Sequence, residues 1–233
     1  MLNYKFTEGI FEEKGLKLSK ECFDKLDKYA WMLAEKNKVM NLTGITEANE
    51  ISEKHFLDSL LIFKICGIEE GARVIDVGTG AGFPGLVMKI YRSDLEVTLL
   101  DSLNKRVNFL KEVSAETEAA ECIHGRAEEI GRKEEYREKY DIAIARAVAA
   151  MPVLSEYCLP FVKVGGRFIA LKGPNENLRE GEEIIKILGG EIEEIIQYSL
   201  PCGDKRAAGI IRKISACPTK YPRNSGQIMK KKN

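Results

Sequence analysis

The stretch RVIDVGTGAGFPGL, residues 73–86, decides the fold of this chain. The apolar run RVIDV predicts a buried strand, and Gly78, Gly80 and Gly82 follow it at alternating positions. Glycines directly after a strand let the chain turn with positive φ and let backbone N–H groups approach a ligand closely. Pro84 suits the first turn of a helix, because the N–H that proline lacks has no partner within the helix there. The stretch therefore predicts a strand, a ligand-binding loop and a helix.

Two kinds of cofactor fit this loop. Gly80, Gly82 and Gly85 match G-x-G-x-x-G, the pattern whose backbone donors and helix dipole bind the pyrophosphate of a dinucleotide. Asp76, followed by Gly78, Gly80 and Gly82, matches D-x-G-x-G-x-G, the nucleotide loop of S-adenosylmethionine (SAM) methyltransferases. The carboxylate of Asp76 would repel a pyrophosphate, whereas it can anchor the loop and reach the amino acid part of SAM. Asp76 therefore favours SAM.

Three later positions bear on the same choice. Asp101 ends the apolar run EVTLLD, where an acid can bind ribose hydroxyls in either kind of site, so it does not discriminate. The segment GRAEE, residues 125–129, follows the third predicted strand, where methyltransferases place a polar or acidic residue against the adenine amino group. Arg146 ends the fourth predicted strand, which is the catalytic position of this architecture. The order of these motifs favours SAM over a purely structural glycine turn.

The apolar runs divide the chain. Apolar residues at helical spacing after Ser19 and after Thr46 predict two long helices, with Trp31 in the core of the first. After residue 70, seven short apolar runs alternate for the most part with amphipathic segments, and only a short link separates the last two. We predict an α/β, Rossmann-like SAM-dependent methyltransferase fold, with a seven-stranded, mostly parallel sheet whose last strand pair is antiparallel. The predicted parts are an N-terminal helical extension (1–70), the methyltransferase domain (71–217) and a basic C-terminal tail (218–233).

Composition indicates an ordinary soluble globular chain. Of the 233 residues, 44% are hydrophobic and 31% charged, and the 36 Lys and Arg balance the 36 Asp and Glu. From Gly203 onward, however, nine Lys and Arg accompany one acid, Asp204. The six cysteines form no C-x-x-C pair, which indicates a reducing compartment and no metal site. The polar, acidic start is unlike a signal peptide, and no apolar run suits a membrane span, so we expect a cytoplasmic monomer.

Several motifs in order carry a resemblance to a known family. NLTGI, HFLDSL, VIDVGTGAGFPGLVMKI, DSLNKRVNFLKEV, GRAEE, DIAIARAVA, GGRFIALKG and YPRNSG resemble the RsmG family, also called glucose-inhibited division protein B, from about Asn37 to Gly226. The resemblance implies a bacterial methyltransferase that uses SAM to modify N7 of one guanine in 16S ribosomal RNA. Loop and resemblance together give these cofactor-binding candidates: Asp76, Gly78, Gly80, Gly82, Phe83, Asp101, Ser102, Leu103, Ala127, Glu128 and Arg146.

The residues allow this chemistry without requiring it. The D/N-P-P-Y signature of exocyclic amine methylation is absent from the sequence, and the context of Cys158 favours a buried helix cysteine over a nucleophile. Guanine N7 has an in-plane lone pair, so its methylation needs positioning and no base. Arg146 is the candidate catalytic residue, because it can donate to O6 and leave N7 free. An ion pair between Arg146 and Asp76 or Glu128 is an equal alternative.

Seven residues are candidates for binding RNA: Asn41, His55, Asp58, Lys172, Lys205, Arg206 and Arg223. His55 and Asp58 share a helix face and can instead form a capping or packing pair. Asn41 suits local bonding in a turn, and Lys172 can be a solvated lysine at a strand end. The tail bases face water, the acidic body or a polyanion, and Lys230 to Lys232 favour a role in solubility.

Other functions stay open at this stage. A SAM methyltransferase with another RNA or small-molecule substrate uses the same motifs. An NAD(P)-dependent oxidoreductase would use residues 80–85 as its fingerprint, and a non-enzymatic RNA-binding module would retain only the fold. The target nucleotide and the assembly stage of the substrate are not encoded in any motif of the chain.

Overall fold

A seven-stranded sheet forms the centre of the molecule, in a computed structural model that describes residues 1–229. Its strand order is β3-β2-β1-β4-β5-β7-β6. The strands are β1 (Arg73–Val77), β2 (Glu96–Asp101), β3 (Glu121–His124), β4 (Tyr140–Arg146), β5 (Val162–Lys172), β6 (Gly190–Ser199) and β7 (Lys205–Lys213). Strands β1 to β5 pair in parallel, and β7 pairs antiparallel with both β5 and β6. The predicted sheet, including its antiparallel last pair, is confirmed.

Helices precede the sheet and connect its strands. They are α1 (Tyr4–Glu13), α2 (Lys20–Met40), α3 (Ala48–Glu50), a π-helix (Ile51–Leu57), α4 (Asp58–Leu60), α5 (Ile62–Ile65), α6 (Gly85–Tyr91), α7 (Asn104–Glu116), α8 (Ala127–Ile130), α9 (Met151–Cys158), α10 (Glu182–Ile187) and α11 (Ser225–Ile228). Two short 3₁₀ segments, Leu159–Phe161 and Leu178–Gly181, complete the connections. Within residues 1–229, the helices lack the combination of length and apolar character that crossing a bilayer requires.

Helix α2 begins where the sequence predicts, but it exposes one side chain that was predicted to be buried. The hydroxyl of Ser19 caps it by accepting the N–H of Cys22 at 3.1 Å. Tyr29 is fully buried, but Trp31 is 52% exposed, so the prediction of a core Trp31 was wrong. The reason is geometric, because two residues turn a helix by about 200° and place the second side chain on the opposite face.

The second predicted helix is present but irregular. It runs from residue 48 to residue 65 with a π-helical turn at Ile51–Leu57 and a break at Leu61. The wider π-turn changes which side chains face inward, because each residue turns the helix by a smaller angle than in an α-helix. As a result Ser52, Glu53 and His55 are buried together with the apolar residues on either side of them, Ile51, Phe56 and Leu57. A simple amphipathic helix would not bury three such polar side chains.

The N-terminal helices and the sheet share a hydrophobic core. One cluster of buried residues runs from Ile10 in α1 through α2 and the π-helix to Ile210 in β7. A second cluster, on the other face of the sheet, joins α9 and α10 to Tyr221, beyond β7. Tyr221 and Ile228 are buried, so the described part of the predicted tail packs on the domain. The lysine cluster at 230–232 lies outside the described residues.

Candidate active site

The glycine loop between β1 and α6 has the predicted backbone. Gly80 has a φ of 65° and open space around its α-carbon, since the nearest atom to an added Cβ would be the Gly78 carbonyl oxygen at 4.0 Å. Gly82 has a φ of 110°, and an added Cβ would collide with the hydroxyl of Tyr29. That hydroxyl donates to the carbonyl of Ala81. Helix α2 therefore supports the loop from behind, which requires glycine at position 82.

Asp76 anchors this loop, as predicted from its position. Its Oδ2 accepts the hydroxyl of Thr79 at 2.6 Å and the N–H of Gly85 at 2.8 Å. Its Oδ1 is buried and has no hydrogen-bond partner. Burial raises the pKa of Asp76 to about 6, against the opposing effect of the bonds from Thr79 and Gly85. Asp76 thus holds the loop with one oxygen and keeps the other available as an acceptor.

Asp101, at the end of β2, shapes the far side of the loop. Its Oδ2 accepts the N–H of Gly80 at 2.9 Å, and its Oδ1 accepts the N–H of Leu103 at 2.8 Å. Arg106 lies 3.5 Å from the same carboxylate. Oδ1 has a lone pair besides the one that accepts from Leu103, so Asp101 can accept a further hydrogen bond from a ligand.

A cavity of about 110 Å³ lies beside the loop. Five of the residues predicted to bind a cofactor line it: Gly78, Asp101, Ser102, Ala127 and Glu128. Val148 and Tyr157 also contribute to its walls. Glu128 is buried, and its Oε1 has no hydrogen-bond partner. Buried acceptors are normally bonded, so the free oxygen of Glu128 in this cavity marks a site for a ligand that carries hydrogen-bond donors.

Arg146 lies at the end of β4 in a second group of side chains. Its Nη2 donates to Nδ1 of His55 at 3.2 Å, and its Nη1 lies 3.4 Å from Oδ2 of Asp58. The guanidinium lies 5.0 Å from the centroid of the Phe83 ring. The alternative of an ion pair with Asp76 or Glu128 is wrong, because the π-helix brings Asp58 to this position instead. Phe83 thus contacts Arg146 and does not line the cavity.

His55 is a neutral acceptor in this group. Burial, followed by the charge of Arg146, lowers its pKa to about 3. Its Nδ1 accepts from Arg146, so the proton is on Nε2, which donates to the hydroxyl of Thr43 at 2.7 Å. Its ring stacks on Phe83 with centroids 4.3 Å apart. Both ring nitrogens of His55 are therefore engaged.

The comparisons with known proteins agree with this geometry. The family model for rRNA small subunit methyltransferase G matches residues 23–229. The chain is 46% identical to the Ribosomal RNA small subunit methyltransferase G of Clostridium tetani, over 99% of both chains. It is 50% identical to the protein of the same name from Alkaliphilus metalliredigens, over 94% of both.

The chain belongs to the rRNA small subunit methyltransferase G family. It is a SAM-dependent methyltransferase, as the sequence predicted. Solved structures show the same fold at low identity. A SAM-dependent methyltransferase from Aquifex aeolicus has a TM-score of 0.54 at 16% identity, covering 72% of this chain and 94% of that one. TrmN from Thermus thermophilus has a TM-score of 0.52 at 14% identity, covering 70% and 53%.

The donor set of SAM fits the residues around the cavity. SAM carries an ammonium, an adenine amino group and two ribose hydroxyls, all of which donate hydrogen bonds. Glu128 and Asp101 line the cavity and offer free acceptors at the positions that the sequence assigned to the adenine amino group and the ribose hydroxyls. The free oxygen of Asp76 is fully buried, one residue before the lining residue Val77. Six of the candidates are not among the residues lining the cavity: Asp76, Gly80, Gly82, Phe83, Leu103 and Arg146. The cofactor contacts of all the candidates stay predictions.

The RNA-binding candidates of this methyltransferase differ in their surroundings. Lys172 is buried and binds the carbonyl of Ala149 and the carboxylate of Glu176, so the solvated alternative is wrong. Lys205 is exposed, and Arg206 lies 3.3 Å from Oδ2 of Asp58. A direct RNA contact by any of these bases stays a prediction.

Two further candidates are already fixed in place. Arg223 makes four hydrogen bonds to Glu156, which is fully buried, so among the alternatives for the tail bases Arg223 faces the acidic body. Asn41 is exposed and ends α2 in the left-handed region with a φ of 49°. The turn that follows is held by Asn37, whose side chain bonds Leu42 and Thr43. The local bonding predicted for Asn41 thus belongs to Asn37.

Sequence reasoning missed other residues of the site in the methyltransferase. Tyr29 is one of the residues at helical spacing after Ser19, but that spacing does not show that it donates to the glycine loop. Tyr198 in β6 donates to Oδ1 of Asp58 at 3.2 Å. A tyrosine in a strand near the end of the chain carries no local signal of such a contact. Helical spacing places Tyr29 on the buried face of α2 but does not identify the carbonyl of Ala81 as its hydrogen-bond partner.

Removing the carboxylate of Asp101 should weaken SAM binding. We expect Asp101→Ala to cost about 1.5–3 kcal/mol of binding free energy, the effect of losing a charged hydrogen-bond acceptor. Calorimetric titration with SAM measures this, and thermal unfolding verifies the fold. Asp94→Ala is the control, because Asp94 pairs with Arg92 and lies just before the start of β2, whereas Asp101 lies at its end. Unchanged SAM affinity in folded Asp101→Ala would refute the assignment.

Proposed function

We propose that this protein transfers the methyl group of SAM to N7 of a guanine in 16S ribosomal RNA. The observation that carries the proposal is the state of the groups around Arg146. His55 is neutral with both ring nitrogens bonded, and Asp58 accepts hydrogen bonds from Tyr198 and two arginines. Neither group is a free base. N7 of guanine is an acceptor that needs none, because its lone pair is available at neutral pH.

Different residues of the site would bind SAM and orient the target guanine. SAM supplies an electrophilic methyl group on its sulfonium sulfur. Asp76, Asp101 and Glu128 would hold it through the acceptors described above. Arg146 donates to O6 of the target guanine, and this contact orients the base and leaves N7 free to attack. Positioning of this kind accounts for several powers of ten in rate when two reactants are bound in reactive geometry.

The acceptor molecule is the RNA of the small ribosomal subunit, either naked or assembled with proteins. The names of the relatives support this substrate. Transfer of a tritium-labelled methyl group from SAM to naked 16S RNA and to isolated small subunits tests it. We expect label in one of these RNA substrates and none in transfer RNA. Sedimentation of the active protein tests the expected monomer, and binding of NADH instead of SAM would overturn the proposal.

Lys205 should contribute to RNA binding. It lies exposed at the start of β7, beside Arg206 and at the same sheet edge as the end of β5. We expect Lys205→Glu to weaken RNA binding and to lower the slope of log affinity against log salt by about 0.7–0.9, the contribution of one phosphate contact. Arg212→Glu is the matched control, since Arg212 is exposed near the other end of β7. Equal slopes for the two variants would exclude Lys205 from the interface.

The rate of methyl transfer should not depend on pH near neutrality. Between about pH 7 and pH 8.5, Asp76 is ionised and His55 is neutral, because their pKa values lie at about 6 and about 3. Below pH 6 the rate should fall as Asp76 gains a proton and loses its charge. Single-turnover experiments at saturating SAM and RNA measure this profile. A tenfold rise per pH unit near neutrality would indicate a general base and a different acceptor atom.

A further inference from the structure

Asp58 connects three parts of the fold. It is the first residue of α4, in the N-terminal helices, and it is 4% exposed. Its Oδ2 lies 3.4 Å from Arg146, at the end of β4, and 3.3 Å from Arg206, in β7. Its Oδ1 accepts the hydroxyl of Tyr198, in β6, at 3.2 Å. Both oxygens of one buried carboxylate are thus shared among strands at the catalytic edge of the sheet.

The charges require this arrangement. Arg146 and Arg206 share one carboxylate oxygen, so their like charges lie close together in a partly buried place. An anion between them offsets the repulsion, and a neutral amide of the same shape would not. Burial, followed by the charge of Asp58, raises the pKa of Tyr198, so its hydroxyl keeps the proton that it donates. Asp204, which lies 3.5 Å from Arg206, is much more exposed and is a weaker partner.

We propose that Asp58 is a positioning residue that holds the guanidinium groups of Arg146 and Arg206 together, facing the anionic substrate. Asp58 is too buried to bind RNA itself. Its proposed role as a positioning residue therefore replaces the RNA contact that the sequence indicated for it. Since Asp58, His55 and Thr43 all come from the first 70 residues, the N-terminal helices complete the active site. The benefit to methyl transfer rests on the proposed function, but the positioning of the arginines does not.

Two variants test this role against a purely structural one. Asp58→Asn keeps the shape and removes the charge, and Tyr198→Phe removes only the bond to Oδ1. Tyr140→Phe is the matched control, because the buried hydroxyl of Tyr140 bonds Thr98 at 3.2 Å near the other end of the sheet. Thermal unfolding, SAM affinity and the single-turnover rate at saturating RNA are measured for each variant. Arginine Nε–Hε NMR signals of the whole protein report the order of the two guanidinium groups without any substrate.

We expect Asp58→Asn to slow methyl transfer about 100-fold, the effect of misplacing a positioning group. SAM affinity should change by less than about threefold, because Asp58 does not line the cavity. Tyr198→Phe should slow transfer about fivefold to tenfold, and Tyr140→Phe should leave the rate unchanged. The Arg146 and Arg206 NMR signals should broaden or shift in Asp58→Asn and not in Tyr140→Phe.

Two results would overturn the proposal. The first is that Asp58→Asn lowers the stability of the protein but leaves the rate of methyl transfer and the arginine NMR signals as in the wild type. Asp58 would then only join the N-terminal helices to the sheet. The second applies if Asp58→Asn does not fold. The proposal is then overturned if Tyr198→Phe has the same rate of methyl transfer and the same arginine NMR signals as Tyr140→Phe. A wild-type protein that methylates no guanine N7 would refute the proposed function alone, because the NMR comparison still tests the positioning of the arginines.

Discussion

Arg223→Ala should lower the free energy of unfolding by about 3 kcal/mol, the cost of leaving a buried charge without its partner. Glu156 is fully buried in α9, and both of its oxygens are bonded to Arg223. The side chain of Arg223 is 36% exposed, whereas that of Glu156 is fully buried. The expected loss of stability therefore comes mainly from the unpaired carboxylate of Glu156. Urea unfolding followed by circular dichroism measures the loss.

A double-mutant cycle separates this pair from other effects of the tail. Glu156→Gln with Arg223→Ala should be more stable than Arg223→Ala alone, because no buried charge then remains. Lys220→Ala is the control, since Lys220 is exposed and lies three residues earlier in the tail. If Arg223→Ala unfolds like the wild type, the described part of the tail is not fastened by this pair, and Arg223 is again a candidate for contact with RNA.

Arg146→Ala should slow methyl transfer by a factor of about 10² to 10³, the usual effect of removing one preorganised donor. The variant should stay folded, because His55 and Asp58 keep their bonds to Thr43 and Tyr198. Arg146→Lys should not restore the rate, since a single ammonium cannot contact His55, Asp58 and a base together. Single-turnover transfer at saturating SAM and RNA measures both.

Arg167→Ala is the control for this experiment. Arg167 lies in β5 and pairs with Glu193 outside the site. It should change stability slightly and leave the rate of methyl transfer unchanged. A wild-type rate in folded Arg146→Ala would exclude Arg146 from catalysis and would leave it only its contacts with the π-helix.

Much of the fold could be predicted because its signals are local. The glycine loop and Asp76 lie within a few residues of each other, and each strand is a short apolar run between turn signals. The order of such elements then leaves few topologies. Asp101 and Glu128 could be predicted to lie close together, as the cavity shows, because parallel strands bring their ends to one edge of the sheet.

Contacts between distant parts of the chain could not be predicted. Asp58 and Tyr198 are 140 residues apart, and the π-helix that directs Asp58 toward Arg146 has no signature in the sequence. Charge counting allowed Arg223 to face the acidic body, but it could not identify Glu156 as the partner, 67 residues away in the sequence. The prediction for Trp31 was wrong because it followed the apolar character of the side chain, whereas helical spacing places Trp31 on the face opposite Tyr29.

The position of the methyl group tests the central claim most directly. RNA methylated by the purified protein is treated with borohydride and aniline, which cleave the chain at N7-methylguanine, and the cleavage site is read by primer extension. The account predicts cleavage at a single guanine of 16S RNA, dependent on SAM and strongly reduced with Arg146→Ala. Methylation at another atom of the base, or at many unrelated guanines, would contradict it.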